Sequence, residues 1–130
     1  MKTGSLWIVA LLSIIGLFLN SCSMPKVGNK DYIAATFPGG EDALYDFIAQ
    51  HKKYQQDAVN AGVEGSVQLK AIVSKEGALQ KIRVIQAVYP SVDQEAIRII
   101  KAMPQWIPAR YKGKMVSSEV NLKVDFYFLR

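Results

Sequence analysis

Few side chains in this sequence could carry out catalysis. There is one histidine, His51, and one cysteine, Cys22. A covalent hydrolase needs a nucleophile beside a base that activates it, but His51 lies on the apolar side of a predicted helix, as structural histidines do. The carboxylates of Asp93 and Glu95 are two positions apart, so on a helix they face different directions. The sequence therefore predicts no catalytic residues.

Metal and phosphate sites also lack a sequence signal. No cluster of cysteine and histidine has the spacing of a zinc site. The stretch GVEG at 62–65 has two glycines, but no Lys-Ser/Thr pair and helix follow it, as a phosphate loop requires. We expect no metal and no cofactor, and a binding module rather than an enzyme.

The N-terminus has the features of an export signal. Lys2 precedes the uncharged run from Leu6 to Leu19. At about 1.5 Å per residue this run spans roughly 21 Å, less than a ~30 Å hydrocarbon core. A positive start followed by a short apolar run is typical of a secretory signal peptide. The run ends in Leu19-Asn20-Ser21-Cys22, which resembles a bacterial lipoprotein signal, in which the cysteine is lipidated and becomes the first mature residue.

This resemblance predicts three segments and a lipidation site at Cys22. The segments are a signal peptide at 1–21, a lipidated terminus with a short tether at 22–36, and one domain at 37–130. An uncleaved membrane helix from Thr3 to Cys22, about 20 residues long, stays open as an alternative. One cysteine excludes an intrachain disulfide, so packing must stabilise the domain. The net charge of +5 could suit an anionic surface, but without a strongly basic window we expect ordinary solubility charge and no nucleic-acid partner.

Beyond the tether the chain alternates between helical and strand patterns. The predicted elements are a helix after the turn at 37–40, a short helix at 55–61, strands at 64–74 and 79–88, a helix from 91 to 103, and a last strand at 116–128. Ser91 and Gln94 have the spacing of a capping box for the later main helix. The order predicts an α+β fold, with two helices on one face of a small antiparallel three-stranded sheet.

The last strand has the clearest pattern. Apolar and polar side chains alternate throughout it, which indicates a strand with one buried and one exposed face. Its inward positions include Val116, Ser118, Val120, Leu122, Val124 and Phe126. Glu119, Lys123 and Asp125 on the other face could simply guard an exposed strand edge against aggregation.

The segment from Val92 to Val116, VDQEAIRIIKAMPQWIPARYKGKMV, resembles the TonB C-terminal domain family. The shared pattern is an acidic-x-Glu-Ala helix, then Met-Pro-x-Trp-x-Pro, then Gly-Lys before a final strand. The resemblance extends over about 37–128, and we expect its motif residues to specify the fold. They are Pro38, Gly39, Gly65, Glu95, Met103, Pro104, Trp106, Pro108 and Gly113.

The resemblance also implies a mode of binding. Energy transducers of this family grip an extended segment of an outer-membrane transporter by adding it as a strand beside their own last strand. This implies a partner-binding edge strand formed by the inward positions named above, and a transporter or other envelope protein as partner. Family members often have proline where this chain has Lys123, and the lysine restores a backbone N–H.

The transducers also need a coupling membrane helix and a long spacer, and this chain has neither feature convincingly. We therefore expect a periplasm-facing, lipid-anchored binding module, more consistent with the outer than the inner membrane. Two alternatives stay open. One is a short transducer with an uncleaved anchor that serves nutrient import. The other is a structural dimer formed through edge strands.

Overall fold

The computed structural model describes residues 28–128. The predicted signal peptide and Cys22 lie outside the described residues. The helices are α1 (Gly40–His51), α2 (Gln56–Asn60) and α3 (Pro90–Lys101), and the strands are β1 (Tyr32–Ile33), β2 (Gly65–Val73), β3 (Leu79–Gln86), β4 (Ala109–Tyr111), β5 (Lys114–Val116) and β6 (Ser118–Phe126). Within these residues no helix is long and apolar enough to cross a bilayer.

The main sheet has the order β3-β2-β6, with both pairs of neighbours antiparallel. The register between β2 and β6 is continuous from the pair Gly65–Phe126 to the pair Val73–Ser118. Alternate residues of the central strand β2 are fully buried, as its sequence pattern predicts.

One face of this sheet carries the core. The central strand contributes Val67, Leu69, Ala71 and Val73 to the core, and β6 contributes Leu122, Val124 and Phe126. Helix α3 adds Val92, Ala96, Ile99 and Ile100, and helix α1 adds Ile48. The predicted fold class, two main helices on one face of a three-stranded antiparallel sheet, is confirmed.

A second, smaller sheet was not predicted. Its order is β1-β4-β5, and Thr36 forms a further bridge with Ile107. Strand β1 lies inside the predicted tether at 22–36, so the ordered fold begins before Phe37. Strands of two or three residues are too short to show a readable alternation, which is why the sequence pattern missed them.

The last strand is divided, and the prediction was wrong for Val116. This residue belongs to β5 and pairs with Ala109 of the second sheet, whereas β6 begins at Ser118. Alternation continues through the break because both sheets turn one face toward the interior. The pattern shows which residues are buried, but not which strand lies beside them.

The predicted capping box was also wrong. Helix α3 begins at Pro90 with Tyr89 at its N-cap, and the Ser91 hydroxyl is buried without a hydrogen-bond partner among the described residues. Proline suits the first helical position because its missing N–H would be unpaired there anyway. The side chain that stabilises the start of α3 is that of Asp93, whose Oδ1 accepts the backbone N–H of Val88 at 2.9 Å.

Candidate functional site: the free edge of strand β6

The side of β6 that faces away from β2 pairs with no strand among residues 28–128. We call this side the free edge. A nine-residue strand with one unpaired side presents a row of backbone N–H and C=O groups. Such a row can accept another strand.

A groove of about 810 Å³ lies beside the middle of β6. One wall comes from helix α1, with Leu44 and the half-exposed Tyr45. Phe37 and Trp106 add apolar lining, and residues 120–123 of β6 also line the groove. The lining also includes Gln68 and Lys70 of β2 and Ile85 of β3, so the groove extends to residues of the other two strands of the main sheet.

The residues predicted to bind a partner lie in β6 except for Val116, but their side chains face the core. Ser118, Leu122, Val124 and Phe126 are buried, and Val120 is half-buried. The prediction of a binding strand therefore concerns the backbone of β6 and not these side chains.

Charged side chains connect the three strands on the outer face of the sheet. Glu119 on β6 forms ion pairs of 3.1 Å with Lys70 on β2 and with Arg83 on β3. The hydrogen bond from Lys70, aided by both positive charges, holds the pKa of Glu119 below its usual value. Lys123 and Asp125 form a further pair at 3.5 Å along β6. This arrangement stabilises the outer face but leaves the backbone of the free edge uncovered.

The link between α1 and α2 covers the far end of β6. Lys52 donates from Nζ to the Asp125 carbonyl at 2.7 Å, and its ammonium lies 5.7 Å from the centre of the Phe126 ring. Tyr54 donates to the carbonyl of Val63 and stacks on Phe128 with ring centres 5.0 Å apart. Burial, with a contribution from the negative charge of Glu64, raises the pKa of Tyr54. Sequence reasoning missed both residues because they lie in an irregular link without periodicity.

The buried carboxylate of Glu95 holds this link in place. Its Oε1 accepts the backbone N–H of Lys53 at 2.9 Å, and Arg98 contacts both carboxylate oxygens at 2.6 and 2.8 Å. Burial alone would raise the pKa of Glu95, but the hydrogen bonds from Arg98 and Lys53 outweigh it and lower the pKa. Arg98 also donates to the carbonyl of His51, so α3 is tied to the end of α1.

The Met-Pro-x-Trp-x-Pro motif forms the end of the core beside the groove. Met103 is half-buried, and Pro104 follows the end of α3. Trp106 is only 6% exposed and packs edge-on against Phe37, with ring centres 5.7 Å apart. The backbone N–H of Trp106 donates to the carbonyl of Gly77 in the β2–β3 hairpin at 2.9 Å, and Pro108 then leads into β4.

The other motif residues lie at turns and at close approaches of the chain. Pro38 and Gly39 precede α1, and Gly39 has a φ of 91° in a position where a Cβ would lie 2.8 Å from that of Ala43. Gly65 begins β2 against Val88, and Gly113, with a φ of 78°, forms the turn between β4 and β5.

The described residues contain no group of three or more His, Cys, Asp or Glu side chains that could hold a metal ion. His51 is exposed, not on the buried stripe of α1 as its spacing suggested. Its ring stacks on Phe47 with centres 3.9 Å apart, and its Nδ1 lies 2.8 Å from the Phe47 carbonyl.

Fold and site together define a small α+β module with a free strand edge beside a groove. Residues 50–128 match the family described as the C-terminal of the Gram-negative bacterial TonB protein. The match covers more than half of the chain, which therefore belongs to the TonB C-terminal family. The sequence matches no curated protein.

Solved structures agree with this assignment at the level of the fold. An NMR structure of the TonB C-terminal domain of Helicobacter pylori aligns with a TM-score of 0.51 and 15% identity, covering 66% of this chain and 90% of that one. A longer version of the same domain gives 0.52 and 15%, with coverages of 72% and 88%.

Proposed function

We propose that this protein is a lipid-anchored, non-enzymatic module of the cell envelope that faces the periplasm and captures extended segments of envelope proteins. Outer-membrane transporters are the partners that membership of the TonB C-terminal family favours. The observation that carries the proposal is the free edge of β6 beside an open groove. Backbone hydrogen bonds along such an edge supply affinity, and pockets for alternate side chains supply specificity.

The hydrogen-bond pattern indicates which groups face outward. In an antiparallel pair, successive residues point their N–H and C=O groups alternately toward and away from the neighbouring strand. Phe128 donates its N–H to the Glu64 carboxylate on the β2 side, at 2.8 Å, whereas the Asp125 carbonyl is taken by Lys52. The alternation then directs the backbone groups of Glu119, Asn121 and Lys123 outward.

An added strand would therefore pair with residues 119–123, the part of β6 that Lys52 leaves open. Side chains on one face of that strand would enter the groove beside Leu44 and Tyr45. Those on the other face would approach Lys70 and Lys123. The segment would thus need apolar side chains on one face only.

The binding proposal is tested by NMR with peptides tiled across the periplasm-facing segments of outer-membrane transporters from the same cell. The backbone amides of Ser118–Phe126 should shift, with the largest changes at the outward positions. Scrambled peptides serve as the control. Shifts confined to other parts of the chain would refute strand addition at β6.

The anchor is tested at Cys22. Replacing Cys22 with alanine should abolish incorporation of labelled palmitate and release the protein from the membrane, because two or more acyl chains hold a protein stably. The neighbouring variant Ser23→Ala should label normally. Labelling that persists without Cys22 would exclude the lipoprotein proposal, whereas a wild-type chain that never labels would favour the uncleaved anchor.

The same free edge supports a second candidate, a dimer in which two copies pair through β6. Sedimentation with and without the binding peptide separates the two functions. A monomer that binds peptide supports capture of a partner. A tight dimer that is indifferent to peptide supports the structural role.

A further inference from the structure

The second sheet presents an exposed apolar and basic surface that the proposed binding function does not use. Cross-strand register places Ile33, Arg110 and Met115 in one row across its three strands. Residues directly opposite one another share a face. The neighbouring row contains Ala109, which is completely buried, so the row with Ile33 points outward. Ile33 is 64% exposed and Met115 is 49% exposed.

Net positive charge lies close to these two apolar side chains, because Arg110 shares their row and the only carboxylate at the start of β1 is that of Asp31. We call β4, β5 and the turn between them the basic hairpin (residues 109–116). It carries Arg110, Lys112 and Lys114 and no acidic residue. All three are exposed, and none has an ion-pair partner within 4.0 Å in the described part of the chain, in contrast to Lys70, Arg83 and Arg98. Lys112 lies over the Tyr111 ring, with its ammonium 5.4 Å from the ring centre. Exposed apolar groups among cations without ion pairs are typical of surfaces that bind anionic membranes.

The chain enters the fold at this surface. Tyr32 pairs with Tyr111, and the backbone N–H of Lys112 donates to the carbonyl of Asp31 at 3.0 Å. Asn29 contacts the Tyr111 hydroxyl at 3.5 Å. Cys22 precedes Gly28 by six positions in the sequence, a distance of at most about 20 Å even for a fully extended chain. If Cys22 carries lipid, the basic hairpin must stay close to the bilayer.

We propose that the basic hairpin, with Ile33 and Lys30 beside it, docks on the surface of a bilayer that contains anionic phospholipid. This inference rests on the proposed lipid anchor, which supplies the proximity. Arg110 in the outward row and Lys112 in the turn bind the headgroups, the exposed Lys114 reaches them from the neighbouring row, and Met115 and Ile33 enter the interfacial layer. Docking holds the domain in one orientation relative to the membrane instead of leaving it free on its tether.

The test uses the full lipidated chain inserted from outside into preformed vesicles. The readouts are acetylation of Lys112 and Lys114 by a membrane-impermeant reagent and oxidation of Met115 by a short pulse of hydroxyl radicals, both measured by mass spectrometry. Phosphatidylglycerol-rich vesicles are compared with pure phosphatidylcholine, and Lys75 in the β2–β3 hairpin is the internal reference.

We expect all three residues to be protected on the anionic vesicles and not on the neutral ones. Each basic side chain near an anionic surface contributes roughly fivefold to binding. A variant with three neutral glutamines should therefore lose on the order of a hundredfold in surface binding, and its Met115 should be oxidised as much as that of the chain on neutral vesicles. Its substitutions are Arg110→Gln, Lys112→Gln and Lys114→Gln.

A second variant with the same change in net charge is the matched control and should stay protected at Met115. Its substitutions are Lys75→Gln, Lys81→Gln and Lys101→Gln, with Lys53 as the labelling reference. Circular dichroism checks that both variants fold. Equal labelling on the two vesicle types, or protection that survives the hairpin substitutions, would overturn the proposal. Palmitate incorporation at Cys22 is measured separately, so a failed anchor and a failed docking surface give different results.

Discussion

Removing the carboxylate of Glu95 should destabilise the domain more than any exposed acidic substitution. The side chain of Glu95 is 3% exposed and accepts hydrogen bonds from Lys53 N–H and from Arg98. Breaking a buried ion pair costs about 3–5 kcal/mol. Since the Arg98 side chain is 46% exposed and can turn to water, we expect Glu95→Ala to lower the free energy of unfolding by about 3 kcal/mol.

The assay is urea unfolding of a chain that begins at residue 23. Trp106 is then its only tryptophan and is buried, so its fluorescence reports the loss of the core. Glu95→Gln keeps one acceptor oxygen but loses the charge, and it should lose about 2 kcal/mol. Glu76→Ala in the β2–β3 hairpin is the control and should change stability by less than about 0.5 kcal/mol. A loss below about 1 kcal/mol for Glu95→Ala would contradict the role assigned to this carboxylate.

The lowered pKa of Glu95 also predicts a pH dependence. A carboxyl with a lower pKa in the folded state contributes stability that is complete above its ordinary value of 4.5 and disappears as pH falls through the folded value. The wild-type chain should therefore lose more stability than Glu95→Gln between about pH 5 and the acid limit. Parallel pH profiles for the two chains would refute this reasoning.

Three further predictions follow from the free edge and the core beside it. Lys123→Pro should fold and weaken peptide binding about three- to tenfold, because it removes one outward N–H. Val124→Pro, on the inward side, should lower the free energy of unfolding in urea by about 3 kcal/mol or more. Equal losses of stability for the two variants would refute the assigned alternation. Gly77→Ala should lower stability by roughly 2–4 kcal/mol, because its Cβ would lie 2.1 Å from the Trp106 carbonyl. Gly113→Ala, with free space around it, should lose only about 1 kcal/mol. A larger loss for Gly113→Ala than for Gly77→Ala in calorimetry would contradict this. Trp106→Ala should lower the free energy of unfolding by about 3–5 kcal/mol. Trp106→Phe should lower it by only about 1–2 kcal/mol, since the indole N–H has no partner among the described residues to lose. Similar melting temperatures for the two variants would show that packing of the ring does not stabilise the core.

The sequence predicts the turn glycine Gly77 in the hairpin between β2 and β3, but not the close approach of this glycine to Trp106. Gly77 occupies a position with a φ of 88°, as a turn glycine does. Its close contact with the Trp106 backbone depends on a segment almost thirty positions away. No local pattern encodes that distance, so the sequence could justify this glycine only as a turn residue.

The sequence by itself determined the buried faces of β2, β6 and α3. Alternation along β2 and β6 and the helical stripe of α3 follow from the geometry of strand and helix, which repeats every two or about 3.6 residues. The motif from Glu95 to Gly113 indicated the family and the order of the last elements. Such signals are local, so they can be recognised without knowing which strand lies beside them in the sheet.

Only the tertiary structure decided which groups are left over for function. It divides the predicted last strand between two sheets, and it leaves one side of β6 unpaired. It also brings Lys52 to the end of that edge and gathers Arg110 and Met115 on one outward face. These features depend on pairings between residues distant in sequence. Hydrophobic patterning is satisfied equally well by several such pairings, so it specifies burial but not neighbours.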